Sequence, residues 1–514
     1  SAFTQSSGFT GSRRAIGIVS DDARYKVLDG CTFSNLDKAI HARAVDPLKN
    51  LEVNNANVFT NCQQGIYLKG GAFHYIGEGN VFNLSVANQN DLLPEVTAIR
   101  LDGTSSTVIE NNTINGGTPS SSSYLAQYGI IAENTGDNAS FTFKNQFNDL
   151  FIGNQTQKDN GGLQIRCNEY TDQAFAWVIN PQSTGAFSDQ GECGQQANQA
   201  GNQFFDAPCV NGQYSHIYSS LAFDYRYNFN GNNENPQCKT TNVDAQGCVN
   251  NDQNLNSCDQ RATITSSNVS QFTNYLSNIS DPFTRQLLRT DIIRYRLDTD
   301  DITNTRSLLA GETSDHWKRI RALAELYNGD LSTAQTVASS VPGTGDDNVD
   351  FASLWSILYD LKSNNHTWRN LNNTQKQIFN TLASNRTQAA YTAQGILETT
   401  FGNGFTPILE TINNTGGSKF GNEASSEGMN LSENRLKIQP NPVGNEAVML
   451  IPDNIQNESS HLIITNTMGQ LVMTTQIEAQ TKQIILDTSN LPSTCYFIQL
   501  IGASGSKHST KFIK

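Results

Sequence analysis

Apolar and polar positions alternate with a period of two in short runs through the first two hundred residues. In Gly65-Ile66-Tyr67-Leu68, Ile66 and Leu68 fall on one side, and Tyr67 and Lys69 on the other. That alternation predicts a half-buried strand. Similar runs begin at Ala98, Gly129, Gly162 and Ala174. Between them recur anchors that pair a small polar residue, usually Asn, with a large apolar one. They are Cys31-Thr32-Phe33, Asn57-Val58-Phe59, Asn80-Val81-Phe82, Asn112-Thr113-Ile114, Asn145-Gln146-Phe147, Asn168-Glu169-Tyr170 and Asn202-Gln203-Phe204. Their large apolar residues are spaced by 26, 23, 32, 33, 23 and 34 positions, a repeat of 23 residues lengthened in some copies by insertions. One copy is too short to bury its own apolar face, so the copies must stack. The period of two excludes helical repeats and predicts one coil of a parallel β-solenoid per copy. Seven anchors predict a rod of roughly 30 Å at ~4.8 Å per coil. The asparagines Asn57, Asn80, Asn112, Asn145, Asn168 and Asn202 are predicted to form a ladder of stacked amides along it.

On this repeat, residues 10–205 resemble the right-handed parallel β-helix proteins. Many of those are pectin or other polysaccharide lyases and hydrolases; others are surface adhesins and phage tailspikes. The fold does not choose between these functions. The first coil-like run, Ala15-Ile16-Gly17-Ile18, carries no amphipathic capping helix before it, which leads to the expectation of further coils upstream.

Glycan cleavage needs two carboxylates ~5–9.5 Å apart. No Asp or Glu recurs at one rung position among the anchors, and no Ser-His-Asp arrangement is legible. Asp21-Asp22 precedes the first clear anchor, Arg100 and Asp102 flank a single coil, and His41 reads as an outward polar residue. Arg319-Ile320-Arg321 reads as the solvated face of a helix. Asp298, Asp300 and Asp301 lack the glycine and final Glu of a calcium loop and read as a turn between helices. No catalytic residue, metal ligand or cofactor is predicted.

From 265 to 401 the period lengthens to that of helices. Trp317, Ile320, Leu323, Ala324 and Tyr327 share one face, Gly329 ends that helix and Asp330 caps the next. This pair resembles a tetratricopeptide-type helix-turn-helix over a single unit. The helical stretch is expected either to terminate the solenoid by covering its last edge or to serve as a docking module. Residues 206–264, rich in Asn, Gln and Gly, are expected to be an irregular insertion ordered by disulfides. The disulfide candidates are Cys167, Cys193, Cys209, Cys238, Cys248 and Cys258, with connectivity left open; nine cysteines leave at least one unpaired within the chain.

A Gly-, Asn- and Ser-rich linker spans 402–435, and short strands with turns follow over 436–514, predicting a small β-sandwich. This tail resembles the type A C-terminal sorting domain of the type IX secretion system of the Bacteroidetes. The matching positions are Pro440-Asn441-Pro442, Gly469 in a hairpin turn, Leu491 followed by Tyr496, and Lys511-Phe512 near the end; Thr494 stands where the family usually has Gly. The resemblance implies partnership with that secretion machinery at the outer membrane and an extracellular or outer-surface location. Most cargo of this kind loses the domain; its presence here leads to the expectation that it is retained or captured on the translocon.

The net charge of −14, with only 16% charged residues, argues against a nucleic-acid partner. No apolar run reaches the ~20 residues of a membrane span. The expected function is therefore a secreted structural or adhesive surface protein, with a homo-oligomer or a cell-surface glycan as further partners. The alternative is a secreted polysaccharide lyase or hydrolase.

Overall fold

The computed structural model describes residues 1–4, 15–84, 95–117, 126–136, 139–182, 184–193, 199–205, 216–229, 233–248, 258, 263–279, 282–412, 436–439, 446–451, 459–466, 470–481, 483–489, 491–492, 495–503 and 507–514. The chain divides into two compact units, residues 1–420 and 421–514.

In the first unit, among the described residues, each of eight coils gives one short strand to each of two parallel sheets, and six of them also give one to a third. Among the described residues the first sheet runs in sequence order from Ala2–Thr4 to Gln203–Phe204, through Thr32–Ser34, Val58–Thr60, Val81–Asn83, Thr113–Asn115, Gln146–Asn148 and Glu169–Thr171. The second runs from Ile16–Asp21 through Lys38–Ala44, Gln64–Gly70, Glu95–Asp102, Ala126–Glu133, Ile152–Gln157 and Phe175–Ile179 to Ile217–Ser219. The third runs from Tyr25–Val27 to Leu163–Arg166.

The anchors fall in register. Phe33, Phe59, Phe82, Ile114, Phe147, Tyr170 and Phe204 pair in succession across the first sheet. Phe33, Phe59 and Phe82 stack face to face at centroid spacings of 4.9 and 4.5 Å, and Phe147 and Tyr170 at 4.9 Å. Ile114 interrupts the aromatic column but stays buried in it. Across the core, the second sheet faces this column with small residues. A Cβ on Gly65 would lie 2.5 Å from the Ala98 carbonyl and 2.9 Å from the Phe82 ring, and one on Gly129 would lie 2.4 Å from the Gly153 carbonyl and 2.7 Å from Phe147. Aromatic rings on one wall thus require Gly or Ala on the other, because interiors are close-packed.

The asparagines occupy the corner before six of the eight first-sheet strands, fully buried. Asn57 donates to Asn80 Oδ1, Asn80 to Asn112 and Asn112 to Asn145, each at 2.9 Å. Asn145 donates to Asn168 at 3.0 Å and Asn168 to Asn202 at 3.1 Å. The same Oδ1 atoms accept the backbone N–H of the preceding coil's Asn, as in Asn112 N to Asn145 Oδ1 at 3.1 Å. A second, partly buried ladder joins the last residues of three first-sheet strands: Asn115 donates to Asn83 and Asn148 to Asn115, both at 2.9 Å.

The winding continues beyond residue 205, where the sequence led us to expect an irregular insertion over 206–264. Ile217–Ser219 pairs in parallel with Phe175–Ile179, and Phe223–Asn228 pairs in parallel with Val243–Cys248. Phe223, Tyr225 and Tyr227 are buried and alternate with exposed or half-buried residues. That period-two pattern prevails over the polar composition around it. Cys167 is bridged to Cys258 and Cys193 to Cys248, with Cα separations of 5.5 and 5.3 Å. Cys238 is also disulfide-bonded; Cys209 lies outside the described residues. Cys31 and Cys62 are free thiols.

Eight α-helices follow among the described residues: α1 (Val269–Tyr275), α2 (Pro282–Asp298), α3 (Ile302–Ala310), α4 (Asp315–Asn328), α5 (Leu331–Ser339), α6 (Asp346–Ser363), α7 (Asn373–Leu382) and α8 (Gln388–Phe401). Asp301, Ser314, Asp330, Asn372 and Thr387 cap their N-termini through side-chain oxygens, and Gly329 takes the left-handed conformation that closes α4. Sequence reasoning offered a cover for the last coil's edge; the helices instead form a lateral layer along the side of the coils. Trp317, Ile320 and Ala324 of α4 pack with Leu48, Ala72 and Phe73 from solenoid turns, and Val45 joins the core of α4 to α8. α8 lies close against the coils, so that a Cβ on Gly103 would meet the Tyr391 ring at 2.7 Å. The helices bury their apolar stripe on the apolar turn residues Val45, Leu48, Ala72 and Phe73.

In the second unit, Lys437–Gln439, Glu446–Leu450 and Gln483–Asp487 form one antiparallel sheet. Leu471–Ile477, Ser460–Asn466, Cys495–Gly502 and Lys507–Ile513 form another. Ile438, Met449 and Leu486 from the first share a core with Leu462, Ile464, Tyr496, Ile498 and Leu500 from the second.

The ladder makes a stability prediction. Asn145→Ala removes the donations to Ile109 O and Asn168 Oδ1 and leaves the buried Asn112 backbone N–H without its acceptor, while Asn112 Nδ2 keeps the Ile76 and Glu110 carbonyls. Urea unfolding of this variant is expected to show a loss of about 2–3 kcal/mol, the cost of buried polar groups left without partners.

Candidate functional site

The outward face of the second sheet gathers the solenoid's buried charge. Because strands pair in register, Asp21, Arg43, Lys69, Asp102, Glu133 and Gln157 stand one above another in a single outward row. The neighbouring row holds Val19, His41, Tyr67, Arg100, Ile131 and Gln155. Asp102 and Glu133 therefore do form a stack of carboxylates on adjacent coils, which the search among the anchors did not reveal. The anchors belong to the first sheet. The signal lay in the fifth residue of the other runs: Gly-Ile-Tyr-Leu-Lys69, Ala-Ile-Arg-Leu-Asp102 and Gly-Ile-Ile-Ala-Glu133.

Arg100 is fully buried between these acids. Its Nε donates to Asp102 Oδ1 at 2.9 Å and its Nη2 to Glu133 Oε2 at 3.1 Å, while Nη1 stands 3.7 Å from Glu95 Oε1. Tyr67 Oη donates to Asp102 Oδ2 at 2.6 Å. From the helical layer, Tyr391 Oη and Arg386 Nε both donate to Glu133 Oε1. One coil earlier, Glu398 of α8 accepts from Lys69 Nζ at 2.6 Å and Arg43 Nη1 at 3.2 Å. Burial pushes the Glu133 and Glu95 carboxyls up, Asp102's charge adding to the effect on Glu133, and Arg100 opposes it at both. Burial lowers the Lys69 ammonium against the pull of Glu398.

His41 does point outward, yet it is buried under α8, stacked on Tyr67 at 4.9 Å. Burial and the charges of Arg43, Lys69 and Lys38 hold it well below the ordinary histidine value, so its imidazole is neutral. The network is closed to solvent: Arg100, Lys69, Asp102 and Glu133 are each at most 1% exposed. An arrangement this complete joins helix to sheet. Breaking it by removing one partner is costly, because the remaining charge stays buried.

The roof is completed by residues 403–412, an extended strap without regular secondary structure that follows α8. Arg100 Nη2 and Gln157 Nε2 donate to the Ile408 carbonyl at 2.8 and 2.9 Å. Glu410 N donates to Gln157 Oε1 at 2.5 Å, and Gln155 Nε2 donates to the Glu410 carbonyl at 2.8 Å. The Glu410 carboxylate accepts from Arg386 Nη1 at 2.6 Å.

The other residues singled out in the sequence lie elsewhere. Asp298 pairs with Lys26 at 3.0 Å, Asp300 with Arg24 at 2.8 Å, and Asp301 caps α3 while pairing with Arg296 at 2.5 Å. Arg319 donates to Asn348, and Ile320 between the two arginines is buried. Asp22 Oδ1 accepts from the Val45 and Asp46 amides at 2.9 and 2.8 Å. Burial, reinforced by the Asp22 charge, pushes Asp46 up to about 7.

In the tail, Tyr496 is buried and its Oη donates to the Pro492 carbonyl at 2.8 Å. Leu491 packs at the edge of the same core. Phe512 pairs with Tyr496 and Lys511 with Phe497 across neighbouring strands. Pro440, Asn441, Pro442 and Gly469 lie outside the described residues. Residues 437–514 match the family described as the secretion system C-terminal sorting domain. Curated proteins gave no match to the chain. The match supports a secreted cargo exported by the type IX secretion system, which delivers proteins to the outer surface or the extracellular space. Among the described residues no helix is long and apolar enough to cross a membrane.

Asp46 supplies a pH test. Its folded-state pKa is raised above the unfolded value, so the folded chain binds more protons than the unfolded one between the two, and stability falls as pH rises through that window. Asp46→Asn keeps the Oδ1 acceptor for the Leu48 amide but cannot ionise. Relative to the parent, urea unfolding of this variant is expected to gain about 2 kcal/mol between about pH 5 and about pH 8.

Proposed function

We propose that the chain is a structural or adhesive protein of the cell surface, exported as type IX cargo, whose right-handed solenoid serves as a rigid rod. The observation that carries this reading is the use made of the second sheet's outer face. Its carboxylate pair, Asp102 and Glu133, is spent on Arg100, Tyr391 and Arg386 and lies beneath α8 and the strap. A rod needs its layers fastened, and this network fastens them. The ladders run lengthwise, which suits a body that bears load along its axis. A homo-oligomer or a cell-surface glycan is the partner this reading favours.

A second reading, a polysaccharide lyase or hydrolase, is favoured by one observation: two acids on adjacent coils with an arginine between them. Incubation of the whole chain with acidic and plant polysaccharides separates the two. The surface-protein reading expects no new reducing ends and no unsaturated products. Cleavage that disappears in Glu133→Gln, with folding retained, establishes the enzyme instead.

Export supplies a further prediction. A chain ending at residue 435 is expected to remain inside its bacterial host, while the full chain reaches the surface or medium, as immunoblots of cell fractions will record. Equal export of both chains contradicts the role assigned to the tail.

A further inference from the structure

The strap is held in an unusual way. It makes no ladder with the second sheet, although it runs over Ile152–Gln157 in the opposite direction. Its backbone is instead read by side chains. The Gln157 amide spans two strap residues, donating to Ile408 O and accepting from Glu410 N, as the edge of a neighbouring strand does. Gln155 takes the Glu410 carbonyl and leaves its own Oε1 buried and without a hydrogen-bond partner. Gln155 is 1% exposed, so this acceptor is enclosed beneath the strap. Two side-chain anchors accompany the backbone contacts. Glu410 meets Arg386, and Leu409 and Ile412 pack with Tyr128, Ile131 and Phe175. Gly402, in the left-handed conformation, and Gly404, with nothing near its Cβ position, mark a hinge between α8 and this segment.

Side-chain amides that bind an extended backbone, a cation for one acidic residue and an apolar floor for aliphatic ones are the parts of a peptide-recognition site. We propose that the outer face of the second sheet around Gln155, Gln157 and Arg386 is a binding site for an extended peptide of the form aliphatic-acidic-x-aliphatic. Residues 405–412 are its built-in occupant. The bonds to Ile408 and Glu410 are to main-chain atoms, so the backbone part of the recognition does not depend on sequence, and specificity comes from the acidic residue and its aliphatic neighbours. This rests on the geometry of the strap and stands whether the chain is a surface rod or an enzyme.

The test uses the full chain with a protease recognition sequence placed between Gly402 and Asn403. After cleavage, an excess of synthetic peptide 403–412 is expected to displace the 403–514 fragment on size exclusion. A fluorescent copy of the peptide is expected to bind in its place, one per chain. Peptides carrying Glu410→Ala or Ile412→Ala are expected to compete about tenfold more weakly, and Gln157→Ala in the protein is expected to weaken the parent peptide by a similar factor. A fragment that no peptide displaces, a scrambled peptide that binds equally well, or a cleaved chain that loses its circular dichroism signal and cooperative melt each overturns the proposal. The last would make the strap an integral part of the fold and not a ligand.

Discussion

A row of buried asparagines hydrogen-bonded from one coil to the next is the constraint on which this fold turns. A ladder amide both donates along the stack and accepts from the preceding coil's backbone, as Asn145 does in donating to Asn168 Oδ1 and accepting from the Asn112 N–H. A coil displaced by one residue would strand those groups in an apolar interior, at a cost of ~1–3 kcal/mol for each. Apolar packing alone is more permissive, since Ile114 substitutes for an aromatic ring in the column without leaving the core. The amides therefore fix register, and the column of Phe, Tyr and Ile fills the space that the register defines. Gly65 and Gly129 on the opposite wall complete the fit, because no Cβ has room there.

Register has a second consequence. Fixing every coil also fixes what stands outside it, so charges on the second sheet are brought together whatever their separation in sequence. Lys69, Asp102 and Glu133 come from three coils and present one continuous row to the helical layer. α8 answers with Glu398 and Tyr391, and Arg386 just before it reaches the same row. Opposite charges meet where each is needed, and the buried acids stay tolerable through the arginines beside them. The seam accounts for the union of solenoid and helices in one compact unit.

Much of the architecture was legible because it repeats. The spacing of Phe33, Phe59, Phe82, Ile114 and Phe147 encodes the coil length, and the asparagine two residues before each of the last four encodes the corner. The same holds for the helices, where Gly329 ends α4 and Asp330 caps α5 as the pattern indicates. Three things escaped the reading. Composition masked the run Phe223-Asp224-Tyr225-Arg226-Tyr227, whose alternation places three aromatics inside. The Asp102–Glu133 stack lies at the end of runs read only for their apolar positions. The strap, Asn403 to Ile412, is too short to show a period; it is bound by side chains more than 250 positions away in sequence, and such contacts leave no local trace.

The claim that ladder amides hold the coils in register is tested most directly by hydrogen exchange resolved to single residues. The backbone N–H groups of Asn112, Asn145 and Asn168 sit in turns between strands, yet each donates to a buried Oδ1 on the next coil. The account predicts that they exchange as slowly as the strand amides beside them, opening only when the whole solenoid unfolds. Exchange at the rate of ordinary surface turns would contradict it.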